Sequence, residues 1–327
     1  MNKLIIFLSF FMLIACKNNF KKLEGHALGT TFHITYQEVI TIREKQIDSL
    51  IYLVNKSLST YMPNSDISKI NHGDTTVIID DMFLEVFNKS DKVYKETNGA
   101  FDPTVGVLVN AWGFGPEKEL NDLNKKQIDS LLVFVGFDNV TVKNHKIYKE
   151  YTQTYLDFNA NAKGYAVDMI GRFLELKKID NYLVELGGEI RARGLNGKNR
   201  LWKIAIEKPN FDGSRSFQTA IELNNESIAT SGNYRKFKID NKTGKKYAHT
   251  IDAKTGYPSK SNLLSVSVIS KLDCADVDAY ATAFMSMGFE KSKIFLQDHQ
   301  ELKAFLIYSN EKDEIETFTT SNLKTSN

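Results

Sequence analysis

The sequence predicts an α+β fold. Residues 182–319 carry many short runs with two-residue alternation, and helical spacing interrupts them irregularly. A doubly wound sheet would instead alternate strand and helix in a regular order. No internal repeat or low-complexity linker divides the chain.

The elements follow in order. Leu28 to Tyr36 alternates, with Phe32, Ile34 and Tyr36 on one side, and reads as a strand. Ile40 to Leu58 places Ile47, Ile51, Val54 and Leu58 at helical spacing. Asp80 to Glu96 repeats that spacing with Phe83, Val86, Phe87 and Val93, and Thr97-Asn98-Gly99 stops it. Asn121 to Phe134 and Ala162 to Leu176 read as further helices. Tyr182 to Arg193, Trp202 to Glu207, Phe217 to Leu223, Ser227 to Thr230 and Leu264 to Ser270 read as strands. Helices over Val277 to Met287 and Glu290 to Gln297 precede closing strands over Leu302 to Tyr308 and Ile315 to Thr319. The expected organisation is one catalytic domain over residues 23–320 and a loose polar tail over residues 321–327.

The first residues have a different character. Met1-Asn2-Lys3 is a short basic start, and Leu4 to Ala15 is an apolar run too short to span a bilayer. It ends in Leu13-Ile14-Ala15-Cys16, which looks like a bacterial lipobox. On that reading residues 1–15 are a signal peptide and Cys16 is lipidated. Residues 16–22 then form the anchor and tether, and the protein sits on a membrane outside the cytoplasm. The other reading is a plain secretory signal with a chance cysteine. Cys274 is the only other cysteine, so no disulfide is expected, and so few cysteines argue against a thiolate zinc site. The 327 residues carry 42 basic and 40 acidic side chains. That balance argues against nucleic acid as the main partner.

Six segments carry chemistry. Asp278-Ala279-Tyr280-Ala281-Thr282-Ala283 on a helix puts a carboxylate and a hydroxyl on one face, hard donors that suit Mg²⁺ or Ca²⁺. Asp276 is close enough in sequence to join them. An Asp near a helix start is also simply favourable. Asp157 to Tyr165 runs small residues into a helix start beside Lys163, a setting for phosphate or an ordinary strand-to-helix turn. Gly99 to Thr104 with Asn110 to Gly115 could line a slot for a flat heterocycle or bury its aromatics. Gly187-Gly188 within Glu185 to Glu189 marks a bulge or a close backbone approach. Ala229 to Tyr234 reads as a turn. His249 to Pro258 offers His249 and Asp252 as a base and its support, or a structural histidine.

Together and in this order, these segments resemble the ApbE family of FAD:protein FMN transferases. The resemblance runs from Leu28-Gly29-Thr30 to Met287-Gly288 and includes Ser59-Thr60-Tyr61, Ser65 to Asn71 and Asp168. The chain departs from the common family pattern at Leu28, at Asn159-Ala160 and at Ala253. The resemblance implies a T-fold-like α+β domain with FAD held in a cleft. It implies Mg²⁺ on Asp278, Thr282 and the carbonyl of Ala160. It implies FAD contacts from Leu28, Tyr61, Ala100, Phe101, Asp102, Asp157, Lys163 and Ile251. Asp278 and His249 are the implied catalytic residues, His249 as the base. The implied reaction moves FMN from FAD to a Thr or Ser hydroxyl of an acceptor protein and releases AMP. The implied acceptors are membrane redox subunits of the Na⁺-pumping quinone reductase or ferredoxin-oxidising type. An FAD pyrophosphatase and a non-catalytic flavin-binding lipoprotein are the alternatives.

Overall fold

The structure, a computed structural model, describes residues 19–120, 123–209, 216–233, 237–239 and 246–326. Cys16 and the leader lie outside the described residues. The described chain opens with the hairpin β1 (Phe20–Ala27) and β2 (Thr30–Gln37). Helices α1 (Glu44–Leu58), α2 (Asp66–Asn71), α3 (Asp81–Glu96), α4 (Gly106–Ala111) and α5 (Lys125–Leu132) follow. A small hairpin, β3 (Val140–Lys143) and β4 (Lys146–Lys149), leads to α6 (Ala162–Leu176). Next come β5 (Tyr182–Leu186), β6 (Glu189–Arg193), β7 (Trp202–Glu207), β8 (Phe217–Leu223) and β9 (Glu226–Gly232). The pair β10 (Phe237–Ile239) and β11 (Lys246–Ala248) precedes β12 (Leu263–Ser270). Helices α7 (Cys274–Met287) and α8 (Phe289–Asp298) then give way to β13 (Lys303–Ser309), β14 (Ile315–Thr319) and β15 (Thr325–Ser326).

Eight strands form one antiparallel sheet in the order β1-β2-β5-β6-β9-β12-β13-β14. The two-residue period of a strand sorts its side chains to opposite faces. On β13, Ala304 and Leu306 join the large core under the helices, while Phe305 and Ile307 join a second core. That second core is closed by the three-stranded sheet β15-β8-β7, through Trp202, Ile206, Ile221 and Leu223. On the other face lie α6 and α7, covered in turn by α1 and α3. The α+β expectation holds, because hairpins rather than crossover helices join most neighbouring strands.

Four local expectations change. β1 begins at Phe20, inside the segment read as a tether. It is polar because it is an edge strand with much of its length exposed, and Gly25 is needed where a Cβ would meet the Phe32 ring at 2.7 Å. At the other end, Thr325 and Ser326 pair with Ile221 and Ala220, so the tail is not loose there. The helix read from Asn121 starts at Lys125, with Asn124 and Gln127 forming a capping box. Finally, Gly187-Gly188 is a two-residue hairpin turn between Leu186 and Glu189, not a bulge. Both glycines have positive φ, +66° and +110°, which side-chain-bearing residues rarely adopt.

Candidate active site

The site forms where α6 and α7 meet the sheet. Gly164 lets the two helices touch, since a Cβ there would lie 2.5 Å from the Cys274 carbonyl oxygen. The Gly164 N–H then donates to Asp278 Oδ2 at 3.2 Å. Lys163 Nζ lies 3.8 Å from the same oxygen and 2.6 Å from Glu189 Oε1. Thr282 follows Asp278 by one helical turn and shares its face.

Asp168 sets the position of α7. Its carboxylate accepts the N–H groups of Cys274 and Ala275, both at 2.9 Å, and Arg191 Nη1 at 2.8 Å. It therefore satisfies two of the free donors at the helix start, where the helix dipole also favours a negative charge. Arg191 continues to Asp273, Arg172 joins Asp273 to Glu85, and Lys89 bridges Asp273 and Asp276. Asp276 is thus engaged by Lys89 at 2.7 Å rather than serving Asp278.

Burial dominates the electrostatics. It pushes the Asp278 carboxyl up to about 8, against the pull of Lys163 and with the push of Glu189. Glu189 is raised too, again by burial first. Burial alone would lower Lys163, but Asp278 and Glu189 hold its ammonium above the usual lysine range. Two buried acceptors beside this cluster have no hydrogen-bond donor among the described residues, Glu189 Oε2 and Asn161 Oδ1. No backbone N–H among the described residues donates to the neighbouring Ala160 carbonyl either. A buried site rich in acceptors suits a cation or a hydrogen-bond donor. The oxygens of Asp278, Thr282 and Ala160 are the donor types of a hard divalent ion that keeps part of its water shell. Among the described residues no group of three His, Cys, Asp or Glu is arranged to hold a metal, so hydroxyl, carbonyl and water would complete the set.

Most of the remaining expected residues lie in local groups of direct contacts, a rim to which His249 is linked here through its chain neighbour Thr250. Leu28 and Gly29 form the β1–β2 turn with φ of +50° and +72°. A two-residue hairpin turn between the paired Ala27 and Thr30 asks for positive φ at both positions, a conformation that leucine rarely adopts. This turn abuts the Gly187 turn, where a Cβ would sit 2.7 Å from Thr30 Cγ2 and 3.4 Å from Glu189 Oε2. On the other side, Asp157 Oδ1 accepts the Asn159 N–H at 2.7 Å, and Asn159 Nδ2 donates to Thr60 Oγ1 at 3.1 Å. Tyr61, 62% exposed, donates through its hydroxyl to the Phe114 carbonyl at 3.4 Å. Phe114 and Trp112 pack with Ile251, and Trp112 Nε1 donates to the Gly256 carbonyl at 2.9 Å. His249 precedes Thr250, whose hydroxyl donates to Asn233 Oδ1 at the end of β9.

Ala100, Phe101 and Asp102 enter the rim through Pro103, whose carbonyl accepts the Asp157 N–H at 2.7 Å. Phe101 itself is 3% exposed and belongs to the core, so its ring follows the buried-aromatic alternative of the sequence reading. Asp102 is buried, with Oδ1 accepting the Thr104 N–H at 2.7 Å and hydroxyl at 2.5 Å. Burial pushes its carboxyl up to about 6 despite these bonds.

Glu189 and the clamp role of Asp168 were not assigned from sequence. The signal for Glu189 was present. In Glu189-Ile190-Arg191-Ala192, Ile190 and Ala192 join the second core, so Glu189 and Arg191 must face the helices. A cavity of about 270 Å³ lined by Glu175, Arg191, Arg193 and Lys271 lies at the opposite ends of these strands. Its Arg191 and Arg193 are already paired with acidic groups, so the chemistry belongs to the α6–α7 end.

Three comparisons bear on this geometry. The model of the ApbE family matches residues 28–306. A relative from Haemophilus influenzae, named FAD:protein FMN transferase, is 36% identical over 311 residues, covering 90% of this chain and 89% of its own. The solved structure of the flavin transferase ApbE from Vibrio cholerae superposes with a TM-score of 0.83 at 33% identity, covering 93% of this chain and 97% of that one. The apo form of the Pseudomonas stutzeri flavinyl transferase ApbE gives 0.81 at 28% identity, with 93% and 95% covered.

Proposed function

The chain belongs to the ApbE family, and from that premise we propose that it moves FMN from FAD onto a hydroxyl of an acceptor protein. The observation that carries the proposal is the buried Asp278–Lys163–Glu189 cluster with its unmet acceptors, in a chain whose relatives are named for this activity. In the reaction the acceptor Thr or Ser oxygen bonds to the FMN-side phosphorus of FAD. The pyrophosphate P–O bond breaks, and AMP leaves with the electron pair. His249 is proposed to take the hydroxyl proton. Lys163 supplies a positive charge at the start of α6, where it can face a phosphate. Mg²⁺, held by Asp278, Thr282 and the Ala160 carbonyl, would supply charge neutralisation at the leaving phosphate. Leu28, Tyr61, Ala100, Asp102, Asp157 and Ile251 are proposed to contact FAD along the rim.

The same proposal covers place and partners. Leu13-Ile14-Ala15-Cys16 supports a lipid anchor at Cys16 on a membrane, with the domain outside the cytoplasm. Among the described residues no helix is long and apolar enough to cross a membrane. Membrane redox subunits are the proposed acceptors. The test is intact-mass measurement of an acceptor domain after incubation with FAD and Mg²⁺. A gain of one FMN phosphoryl group that Asp278→Ala abolishes supports the reading. AMP release with an unchanged acceptor mass, for every acceptor tried, indicates the hydrolase instead.

A further inference from the structure

Lys163 faces two buried carboxylates and chooses between them. Its ammonium is within hydrogen-bond distance of Glu189 Oε1 at 2.6 Å and stops short of Asp278 Oδ2 at 3.8 Å. The fold fixes that choice. The Gly187-Gly188 turn is pinned by the Gly187 N–H on the Thr31 carbonyl at 3.0 Å and by the Gly188 N–H on Glu185 Oε1 at 2.9 Å. Glu189, the first residue after it, is 3% exposed and points to the helices by strand alternation. Its second oxygen has no hydrogen-bond partner among the described residues. A buried carboxylate held with one oxygen unmet is costly, and packing alone would favour an apolar residue there.

We propose that Glu189 is a positioning residue that holds the Lys163 ammonium away from Asp278 and so keeps the Asp278 carboxylate open to a divalent cation. The inference rests on the cation reading given above. With all three groups ionised, Glu189, Lys163 and Asp278 carry one net negative charge, which a divalent ion offsets. Without Glu189 the cluster is neutral, and the nearest counter-ion left to the ammonium is Asp278. Lysine and cation then compete for the same oxygens.

The experiment is calorimetric titration of the full chain with Mg²⁺ in the absence of FAD, backed by the Mg²⁺-dependent rise in melting temperature. Glu189→Gln should raise the Mg²⁺ concentration for half-saturation by about tenfold or more, because a unit charge a few ångströms from a divalent ion is lost. Adding Lys163→Met to that variant should restore half-saturation to within about threefold of the parent, since the competitor is gone. A Glu189→Gln value within twofold of the parent overturns the proposal. So does a double variant that stays as weak as the single one, because Glu189 would then not act through the lysine. Absence of Mg²⁺ binding by the parent protein overturns the cation reading itself, an outcome visible before any variant is made. If Glu189→Gln fails to fold, Glu189→Asp takes its place. Its shorter arm draws the ammonium from its present position, and an unchanged half-saturation overturns the proposal.

Discussion

Replacing Asp168 by alanine should loosen α7 and lower stability by a calculable amount. The carboxylate is fully buried and accepts the Cys274 and Ala275 N–H groups, both at 2.9 Å. Alanine leaves both donors without an acceptor, at about 1–3 kcal/mol each, or ~4 kcal/mol together. Part of that is returned. Burial and the neighbouring Asp273 push the Asp168 carboxyl up to about 6, so near neutral pH its charge is held at a cost that alanine removes. A rise of that size returns about 3 kcal/mol, so the lost hydrogen bonds exceed the relief by about 1 kcal/mol. At roughly 2 cal/mol/K of unfolding entropy per residue, a chain of this length should melt about 1–2 °C lower. Asp168→Asn keeps one acceptor and removes the buried charge, so it should melt at or above the parent and above the Ala variant. Thermal unfolding followed by far-UV circular dichroism at pH 7.5 measures both. An Asp168→Ala variant that melts with the parent, or an Asn variant less stable than the Ala one, would refute the clamp assignment.

Three further outcomes are expected. Asp102 has its carboxyl raised to about 6, so its ionised form costs stability that appears as pH rises from about 4 through 6 and persists above. Asp102→Asn should therefore melt above the parent at pH 8 and not at pH 4, while flavin-transfer turnover falls; melting curves across that range decide it. Gly164→Ala would place a Cβ 2.5 Å from a backbone oxygen of α7, and urea unfolding should show a loss of at least about 2 kcal/mol or no soluble protein. Cys274 is buried and its thiol is raised well above the ordinary range by burial, so a thiol reagent should label it only after denaturation. Labelling in the native protein at the rate of a free thiol would contradict its place under the sheet.

The sequence alone determined what local rules govern. Helix α6 carries the bounds read from its periodicity, Ala162 to Leu176, and β7, β8 and β14 likewise match their alternation. In α6 and β7 propensity and burial agree, so the pattern is sufficient, whereas β14 is mostly exposed and is read from its β-branched and aromatic residues. Where the signal was non-local it was invisible. β1 is a polar edge whose only reason to be a strand is its pairing with β2, and β15 is two residues made into a strand by β8. Asn71, on α2, brackets Leu156 with two hydrogen bonds of 2.8 Å across 85 residues, an arrangement no window of sequence contains.

The site divides the same way. The sequence named Asp278, Thr282, Lys163 and the rim residues, because their order and type are recognisable without coordinates. Only the tertiary structure decided which charge answers which. Asp276 goes to Lys89 and not to Asp278, Asp168 clamps the start of α7, and Lys163 leans on Glu189 and not on Asp278. The physical reason is that an ion pair depends on a few tenths of an ångström across elements distant in the chain, whereas a helix or strand depends on residues three, four or two apart.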